Sequence, residues 1–439
     1  RGRQEGRIIK VLEQNTTQVV GRLRFEDGDY FLQPENSRIR NEIDIADDQL
    51  KGAQAGQYVT VEIVEFPCNR FNASGRVIEL LGDSMAPGME IDVAIRSHDI
   101  PHKWPQDALN AAAAMGSEVT DADKQHRADF RDLPFVTIDG EDARDFDDAV
   151  YCEKRKSGGW RLFVAIADVS HYVEPDSALD QEAEERGTSV YFPGHVVPML
   201  PESLSNGLCS LNPHVDRLVM VCEMAINSAG KMTSYKFSEG IIHSHARLTY
   251  SQVGALLSTP ESGLGKKVAQ KHSAVVPDLH ALHQLYAVLR KARTKRGSID
   301  FEKQEVQFKF TEDRKIDRIV PVVRNDAHKM IEEFMLCANV ATARFLEKLA
   351  LPALYRVHEG PADKKLTNLR TFLSERGLNL TGGDKPTPAD YDRLLRSIGE
   401  RNDAQIIRTM MLRSLSQAEY SSDNQGHFGL AYPAYAHFT

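Results

Sequence analysis

Apolar residues along the first 83 positions come in short runs that are separated by turn residues. The runs are rich in β-branched and aromatic residues, which favour strands, and they occupy residues 6–14, 17–34, 57–67 and 72–82. Within the second run, the segment from Glu26 to Asp29 contains Gly28 and predicts a hairpin turn. Several short strands in so short a stretch predict a small closed barrel, most commonly of the OB type.

The pattern changes beyond this region. A segment with Gly and Pro at 81–90 is typical of a linker, and an alanine-rich, charged stretch at 106–127 predicts a helix. The apolar run at 160–173 predicts strand structure, and mixed α and β patterns follow it.

Two longer segments, 278–296 and 326–350, have the apolar spacing of amphipathic helices. On the first of them, one face carries Leu279, Leu282, Leu285, Tyr286 and Leu289. Gly297 is placed to end that helix. We find no internal repeat and no low-complexity tract.

These patterns predict a multidomain chain. We expect an all-β OB barrel at 1–83, a linker and helical connector at 84–133, and a mixed α/β domain at 134–439. A chain of 439 residues is long enough for two or three domains.

Composition narrows the class of protein. Hydrophobic residues make up 41% and charged residues 27%, as in an ordinary soluble protein. No apolar run is long enough to span a bilayer, the first residues lack a signal-peptide core, and the five cysteines form no C-x-x-C pair. We therefore expect a reduced, cytoplasmic protein without membrane association. The net charge of −9 means that any polyanionic partner would be held by locally arranged cations or metals.

Candidate chemistry is concentrated in the segment TIDGEDARDFDDAVYC at 137–152. Six acidic side chains lie between Asp139 and Asp148, with apolar runs on both sides. So many like charges repel one another unless a cation lies among them. The candidate ligands are Asp139, Asp145, Asp147 and Asp148. Oxygen ligands at this spacing suit Mg²⁺ or Mn²⁺, and two such ions can flank a phosphate and assist its hydrolysis.

Other interpretations of this segment are weaker. An acidic surface loop is the usual explanation of a charge run, but the apolar flanks indicate a position in the core. A calcium loop of the EF-hand type requires glycine at its sixth position, where Arg144 stands. A phosphatase-type nucleophile at Asp145 would follow an apolar strand, and the residues before it are polar. Metal-dependent phosphate chemistry remains the leading hypothesis.

The run TIDGEDARDFDDA resembles the signature of the ribonuclease II / ribonuclease R exoribonuclease family. Further motifs share that resemblance: GTSVYFPGHVVPMLPESLSNGLCSLNP, ARLTYSQV, RNDAHKMIEEFM and HFGLAYPAYAHFT. Because these motifs occur in order along essentially the whole chain, the similarity is specific, and it is closest to the bacterial ribonuclease R members.

The resemblance implies a processive 3′→5′ hydrolase. Such an enzyme threads the 3′ end of single-stranded RNA into a channel and releases nucleoside 5′-monophosphates. By the same resemblance, the four candidate aspartates hold Mg²⁺ around the scissile phosphate, and Asp147 corresponds to the aspartate required for cleavage but not for binding. The barrel is similar to the second of two cold-shock domains, and the remainder to the catalytic RNB domain. We expect a monomer.

The resemblance also assigns contacts with RNA. Tyr191 aligns with an aromatic side chain that stacks on a base near the 3′ end, and Phe301 falls where its partner would be, although a core position is as good an interpretation of Phe301. Glu332 and Tyr250 align with residues that contact the ribose. Recognition of its 2′-OH by these residues would favour RNA over DNA.

Some residues near these motifs receive ordinary interpretations. We expect Glu141 and Asp142 to be solvated loop residues and His328 to make a helix-surface interaction. The basic segment 289–297 could follow a phosphate backbone, but a solvated helix end is the slightly better interpretation.

The family pattern differs from this chain at both ends. It includes a first cold-shock domain and continues, after a stretch like AHFT, with SPIRRY, whose arginine contacts the scissile phosphate, and with a C-terminal RNA-binding domain. We therefore expect the chain to be C-terminally incomplete. The competing class is an RNA-binding module with an idle catalytic domain, which the presence of all four aspartates disfavours. A phosphatase for small nucleotides is weaker still, since a phosphate-binding Gly-rich loop is missing.

Overall fold

The computed structural model describes residues 9, 12–68, 71–83, 88–301, 305–313, 315–399 and 401–438. The predicted strand at 6–14 and the centre of the predicted linker fall largely outside these ranges. The chain divides into two compact units. The first unit comprises 1–109, 178–200 and 306–321, and the second comprises 110–177, 201–305 and 322–439.

The N-terminal part of the first unit is a closed five-stranded barrel. Its strands, in the order β1-β2-β3-β5-β4, are β1 (Gln18–Glu26), β2 (Asp29–Pro34), β3 (Ile43–Ile45), β4 (Gln57–Glu65) and β5 (Ala73–Asp83). Glu26 pairs with Asp29, and both residues between them, Asp27 and Gly28, have positive φ, as a tight hairpin turn requires. The predicted OB-type barrel is confirmed.

Two helices follow the barrel: α1 (Met89–Ser97) and α2 (Gln106–Ala114). Met89 and Val93 of α1 pack against Val20 of the barrel. The predicted helix at 106–127 is wrong beyond Ala114. Gly116 there has a φ of +72°, and the backbone N–H of Thr120 donates to Asp123 at 2.8 Å, so the chain turns instead of continuing the helix.

The next elements lie mostly in the second unit, and the chain returns once to the first unit at residues 178–200. They are β6 (Ala128–Asp129), β7 (Phe135–Asp139), β8 (Asp148–Lys154), β9 (Trp160–Ala167), α3 (Val169–Tyr172), α4 (Ala178–Arg186), β10 (Val190–Phe192), β11 (His195–Val197), β12 (Asp216–Ile226) and β13 (Met232–Thr249). A π-helical turn spans Ser203–Leu208.

The remaining elements are mostly helical. They are α5 (Tyr250–Ser258), α6 (Gly263–Lys271), α7 (Val276–Arg296), β14 (Glu305–Phe310), β15 (Ile316–Val322), α8 (Asp326–Leu349), β16 (Tyr355–Val357), α9 (Asp363–Ser374), α10 (Pro388–Ile398), α11 (Ala404–Ser414) and β17 (Glu419–Ser421).

The second unit is built on a six-stranded sheet with the order β12-β9-β8-β7-β13-β6. Its largest core lies between this sheet and helices α5, α7 and α8. A smaller core is formed by α9, α10 and α11. The α/β character predicted for this part of the chain is confirmed.

Both long helices agree with the sequence. The five residues predicted to share one face of α7 are all buried, and Gly297 follows the helix with a left-handed φ of +76°. Helix α8 ends one residue before the predicted limit, because Ala350 adopts a left-handed conformation. Among the described residues, every helix is too short or too polar to cross a lipid bilayer. The five cysteines are free thiols.

Candidate active site

The acidic segment is the connection between two neighbouring antiparallel strands. Asp139 is the last residue of β7, Asp148 is the first residue of β8, and Val136 pairs with Val150 between these strands. Asp145 and Asp147 lie in the connecting loop. The fold therefore gathers all four candidate carboxylates at one edge of the central sheet.

Phe146 anchors this loop. Its ring is 2% exposed, its N–H donates to Ser210 Oγ at 3.1 Å, and its carbonyl accepts from the N–H of Leu211 at 2.8 Å. The guanidinium of Arg247 lies 4.0 Å from the centre of the Phe146 ring and donates to the carbonyl of Ala143 at 2.8 Å. The aspartates thus project from a backbone that neighbouring elements hold in place.

Three of the four carboxylates have raised pKa values, which indicates that a cation would stabilise their charged forms. Burial, reinforced by Asp145 and Asp139, raises the pKa of Asp147 to about 6. Burial, reinforced by Asp139 and Asp147, raises the pKa of Asp148 to about 7, and burial also raises the pKa of Asp139. Asp147 is open to water, but the protein atoms around it still reduce the hydration of its carboxylate.

One oxygen of this group has no partner. Asp148 Oδ2 is buried and makes no hydrogen bond. Because buried polar atoms are normally paired, this oxygen is suited to a ligand such as a metal ion. Over the ranges that the structure describes, however, no three His, Cys, Asp or Glu side chains already converge as a finished metal site. The charge and the donor set fit a hard cation, whose remaining ligands would be water and phosphate oxygens.

Tyr250 lies beside Asp139. Thr249 pairs with Asp139 across the parallel strands β13 and β7, so that α5 begins at the edge of the sheet where the aspartates lie. The Tyr250 hydroxyl donates to the Asp139 carboxylate, and burial raises the pKa of this phenol well above its usual range.

The first turn of α8 supports Tyr250. Asn325 caps this helix, and its Nδ2 donates to the carbonyl of Tyr250 at 2.8 Å. His328 stacks on the Tyr250 ring at 3.9 Å between centroids, and burial lowers the pKa of this histidine. His328 therefore packs on Tyr250, beyond the helix-surface contact that we expected.

Glu332 is held by two arginines. Arg324 forms an ion pair with one of its oxygens, and Arg293 Nη1 donates to the other at 3.2 Å. Arg293 also donates to Glu333 at 2.9 Å, and both of these residues are buried, at 5% and 3% exposure. The interpretation of 289–297 as a solvated helix end is thus wrong for Arg293, which is an interior ion-pair partner.

The two predicted stacking residues have different surroundings. Phe301 is partly buried and packs against the core formed by α9, α10 and α11. Tyr191 belongs to the first unit, lies on β10 opposite Val196 of β11, and is 65% exposed.

Sequence reasoning missed several residues of this site. Phe146 and Ser210, which hold the acidic loop, and Arg324, which holds Glu332, received no role, and Arg293 was interpreted only as part of a basic helix end. Arg324 and Ser210 stand in motifs that carry the family resemblance, but only contacts distant in sequence show what these residues do.

Comparison with known proteins agrees with this architecture. The sequence model of the RNB domain matches residues 127–439, and that of the cold shock domain matches residues 31–105. The chain therefore belongs to the RNB domain family, and it combines an RNB domain with a cold-shock barrel.

Several similar proteins are named Ribonuclease R. The chain is 54% identical to Ribonuclease R of Vibrio cholerae and 53% identical to that of Escherichia coli, in each case over 100% of this chain and 53% of the relative. The chain thus spans about half the length of the curated relatives it matches. The structure of Mycoplasma genitalium RNase R in complex with ribose methylated single-stranded RNA superposes with a TM-score of 0.90 at 29% identity, covering 98% of this chain and 67% of that one.

Proposed function

We propose that the protein to which this chain belongs is a processive 3′→5′ exoribonuclease that hydrolyses single-stranded RNA to nucleoside 5′-monophosphates. The observation that carries the proposal is the group of four carboxylates at one edge of the sheet, in which Asp139, Asp147 and Asp148 have raised pKa values and Asp148 has one unpartnered buried oxygen. The similarity to proteins named Ribonuclease R supports the same activity.

The proposed cofactor is Mg²⁺, with Mn²⁺ as a possible substitute. The residues that would hold it are Asp139, Asp145, Asp147 and Asp148. A divalent ion at such a site supplies an activated water and neutralises charge that develops on the phosphate. The protein contributes a loop fixed by Phe146, a buried acceptor on Asp148 and an Asp139 carboxylate that is oriented by Tyr250.

The proposed partner is the 3′ end of single-stranded RNA. Tyr250 and Glu332 are proposed to contact a ribose, since Tyr250 lies against Asp139 and Glu332 is fixed by two arginines. Tyr191 and Phe301 are proposed to stack on bases, which the 65% exposure of Tyr191 permits. Mycoplasma genitalium RNase R, whose fold this chain shares, has been seen with single-stranded and with double-stranded RNA.

Three further proposals concern organisation and setting. We propose the domain boundaries 1–83, 84–133 and 134–439, a monomer, and a reducing cytoplasmic setting. The five free thiols, four of them buried, support the last of these.

The test is release of mononucleotides from uniformly labelled single-stranded RNA by the full-length protein, with Mg²⁺ or with EDTA. We expect Asp147→Asn to lower cleavage more than about a hundredfold while RNA affinity changes little, since one metal ligand is lost and the remaining contacts stay. The control is Asp142→Asn, an exposed carboxylate of the same loop that is expected to leave cleavage near the parent level. RNA binding without any Mg²⁺-dependent release in the parent would instead indicate an RNA-binding module.

A further inference from the structure

A cavity of about 430 Å³ lies in the second unit, away from the acidic loop. It is enclosed by the turn between β12 and β13, the C-terminal half of α7, the middle of α8 and the segment 431–433. None of the four site aspartates lines it. The cavity is therefore a separate feature of the fold.

Positive charge dominates the lining of this cavity. Arg296 and Arg344 are half-buried in its wall, and Lys231 and Lys295 are exposed at its rim. Within the described part of the chain, no carboxylate lies within ion-pair distance of any of these four side chains. The one acid in the lining, Glu333, already accepts a hydrogen bond from Arg293 at 2.9 Å.

Arg296 is held by two contacts, and one of its hydrogen-bond donors has no partner. Its Nε donates to the carbonyl of Leu430 at 3.2 Å, and its guanidinium lies 4.0 Å from the centre of the Tyr432 ring. Its Nη2 is buried and has no hydrogen-bond partner. Because a buried charged donor without a partner is unfavourable, this atom is suited to an anionic ligand.

A second guanidinium faces the same space. Arg296 and Arg344 both act electrostatically on the thiol of Cys337, which lines the cavity. Two guanidinium groups around one small space match the oxygen geometry of a phosphate better than that of an uncharged ligand.

The apolar part of the cavity wall indicates the chemistry of the uncharged part of the ligand. Met232, Ala292 and the Tyr432 ring line the cavity and provide accessible apolar surface, and the volume is in the range of small-molecule sites. A ligand that carries a phosphate and a flat ring would satisfy both halves of the wall. We propose that this cavity binds a nucleoside monophosphate, with its phosphate at Arg296 and Arg344 and its base on the apolar side. The proposal does not depend on the proposed nuclease activity, because no residue of the acidic loop takes part.

The test is isothermal titration of the full-length protein with 5′-AMP, inorganic phosphate and adenosine, in EDTA. We expect 5′-AMP to bind more tightly than either of the other two. Arg344→Gln should weaken its binding by about tenfold or more, and Arg344→Lys by less. Lys295→Gln, a rim substitution that the fold can accept, should weaken it severalfold. The control Arg396→Gln removes an exposed arginine of α10 and should leave binding unchanged.

Crosslinking locates the site directly. Light-activated 8-azido-AMP should label the peptide that contains Tyr432 or the one that contains Cys337. Labelling elsewhere, unchanged affinity in Arg344→Gln, or adenosine binding as tightly as 5′-AMP would overturn the proposal. Phosphate binding as tightly as 5′-AMP would also overturn it, by showing a site for the anion alone.

Discussion

The acidic loop and the contact between α7 and α8 both hold carboxylates inside the second unit, but they treat the charge differently. Glu332 and Glu333 are matched by Arg293, Arg324 and Arg290 in a chain of alternating charges. In the acidic loop, burial and neighbouring carboxylates raise the pKa values of Asp139, Asp147 and Asp148, and one oxygen of Asp148 has no hydrogen-bond partner. Carboxylates matched by arginines support a structure, whereas carboxylates whose charged neighbours are mainly other carboxylates indicate a site awaiting a ligand.

The largest effect should follow from breaking the paired region. Arg293→Met would leave Glu333 buried without its closest cation, and we expect the free energy of unfolding to fall by about 3–5 kcal/mol. Arg396→Met, which removes an exposed ion pair with Asp392, should cost only about 0–1 kcal/mol. Urea unfolding of both variants measures the difference. Equal small losses would show that the buried pair contributes no more than a surface pair.

The next effect concerns the choice of sugar. Glu332 and Tyr250 are proposed to hydrogen-bond a ribose 2′-OH, and a deoxy sugar would lose these hydrogen bonds, at about 1.5–3 kcal/mol for a bond to a charged group. The full-length parent should therefore pause about 10- to 100-fold at one internal deoxynucleotide. Glu332→Ala combined with Tyr250→Ala should relax that pause, at some cost to RNA turnover.

Timed degradation of a ribose strand with a single deoxynucleotide measures the pause. Glu347→Ala, which removes an exposed carboxylate elsewhere on α8, is the control and should keep it. If the parent and the double variant pause equally, sugar discrimination resides in other residues.

The stability of the acidic loop should respond to loss of a charge in the opposite sense to that of the contact between α7 and α8. The pKa of Asp148 is about 7 in the folded protein and 3.8 in an unconstrained chain. Between these values the unfolded chain loses a proton that the folded protein keeps, so stability falls as pH rises through this window. In EDTA at pH 8, Asp148→Asn should therefore raise the free energy of unfolding by about 1–3 kcal/mol, and the gain should vanish near pH 4.

Thermal unfolding at both pH values, with EDTA or Mg²⁺, measures this effect. Mg²⁺ should stabilise the parent more than the variant, because it binds the folded carboxylates. Asp142→Asn, on the same loop, should change stability by less than about 0.5 kcal/mol. A loss of stability in Asp148→Asn at pH 8 would mean that the loop carboxylate is already compensated.

The smallest effect should come from the exposed aromatic residue of the first unit. Tyr191→Ala should weaken retention of short RNA about tenfold, at the lower end of what stacking on one base contributes, and lengthen the final product. Val196→Ala, opposite it on the hairpin, should leave the product ladder unchanged. An unaltered ladder in Tyr191→Ala would show that this side chain does not contact RNA.

The sequence predicted those elements whose pattern is local. The apolar face of α7 and its end at Gly297 follow from spacing alone, and so does the hairpin at Asp27 and Gly28. Strand β3 has only three residues, too few for a pattern, and the helix at 106–127 was overestimated because alanine content outweighed Gly116.

In the candidate site too, residues that are close in sequence could be predicted and contacts distant in sequence could not. The four aspartates are visible because they stand together in the sequence, between two apolar strands. The residues that hold the acidic loop and Glu332 are not visible in this way, since Ser210 is 64 residues from Phe146 and Arg293 is 39 residues from Glu332. The burial of Arg293 was hidden because a lysine- and arginine-rich helix end has the same composition whether it is solvated or paired.

The contacts of Phe146 determine whether the acidic loop could function in another protein. Both backbone groups of Phe146 are bonded to residues 210 and 211, and its ring is covered by Arg247. Residues 139–148 transplanted into another sheet would bring the carboxylates but lose the contacts with residues 210, 211 and 247 that hold the loop. The functional unit is thus discontinuous in sequence and comprises the loop, residues 210 and 211, and Arg247. A substitution in any one of these parts limits which substitutions the other two can accept.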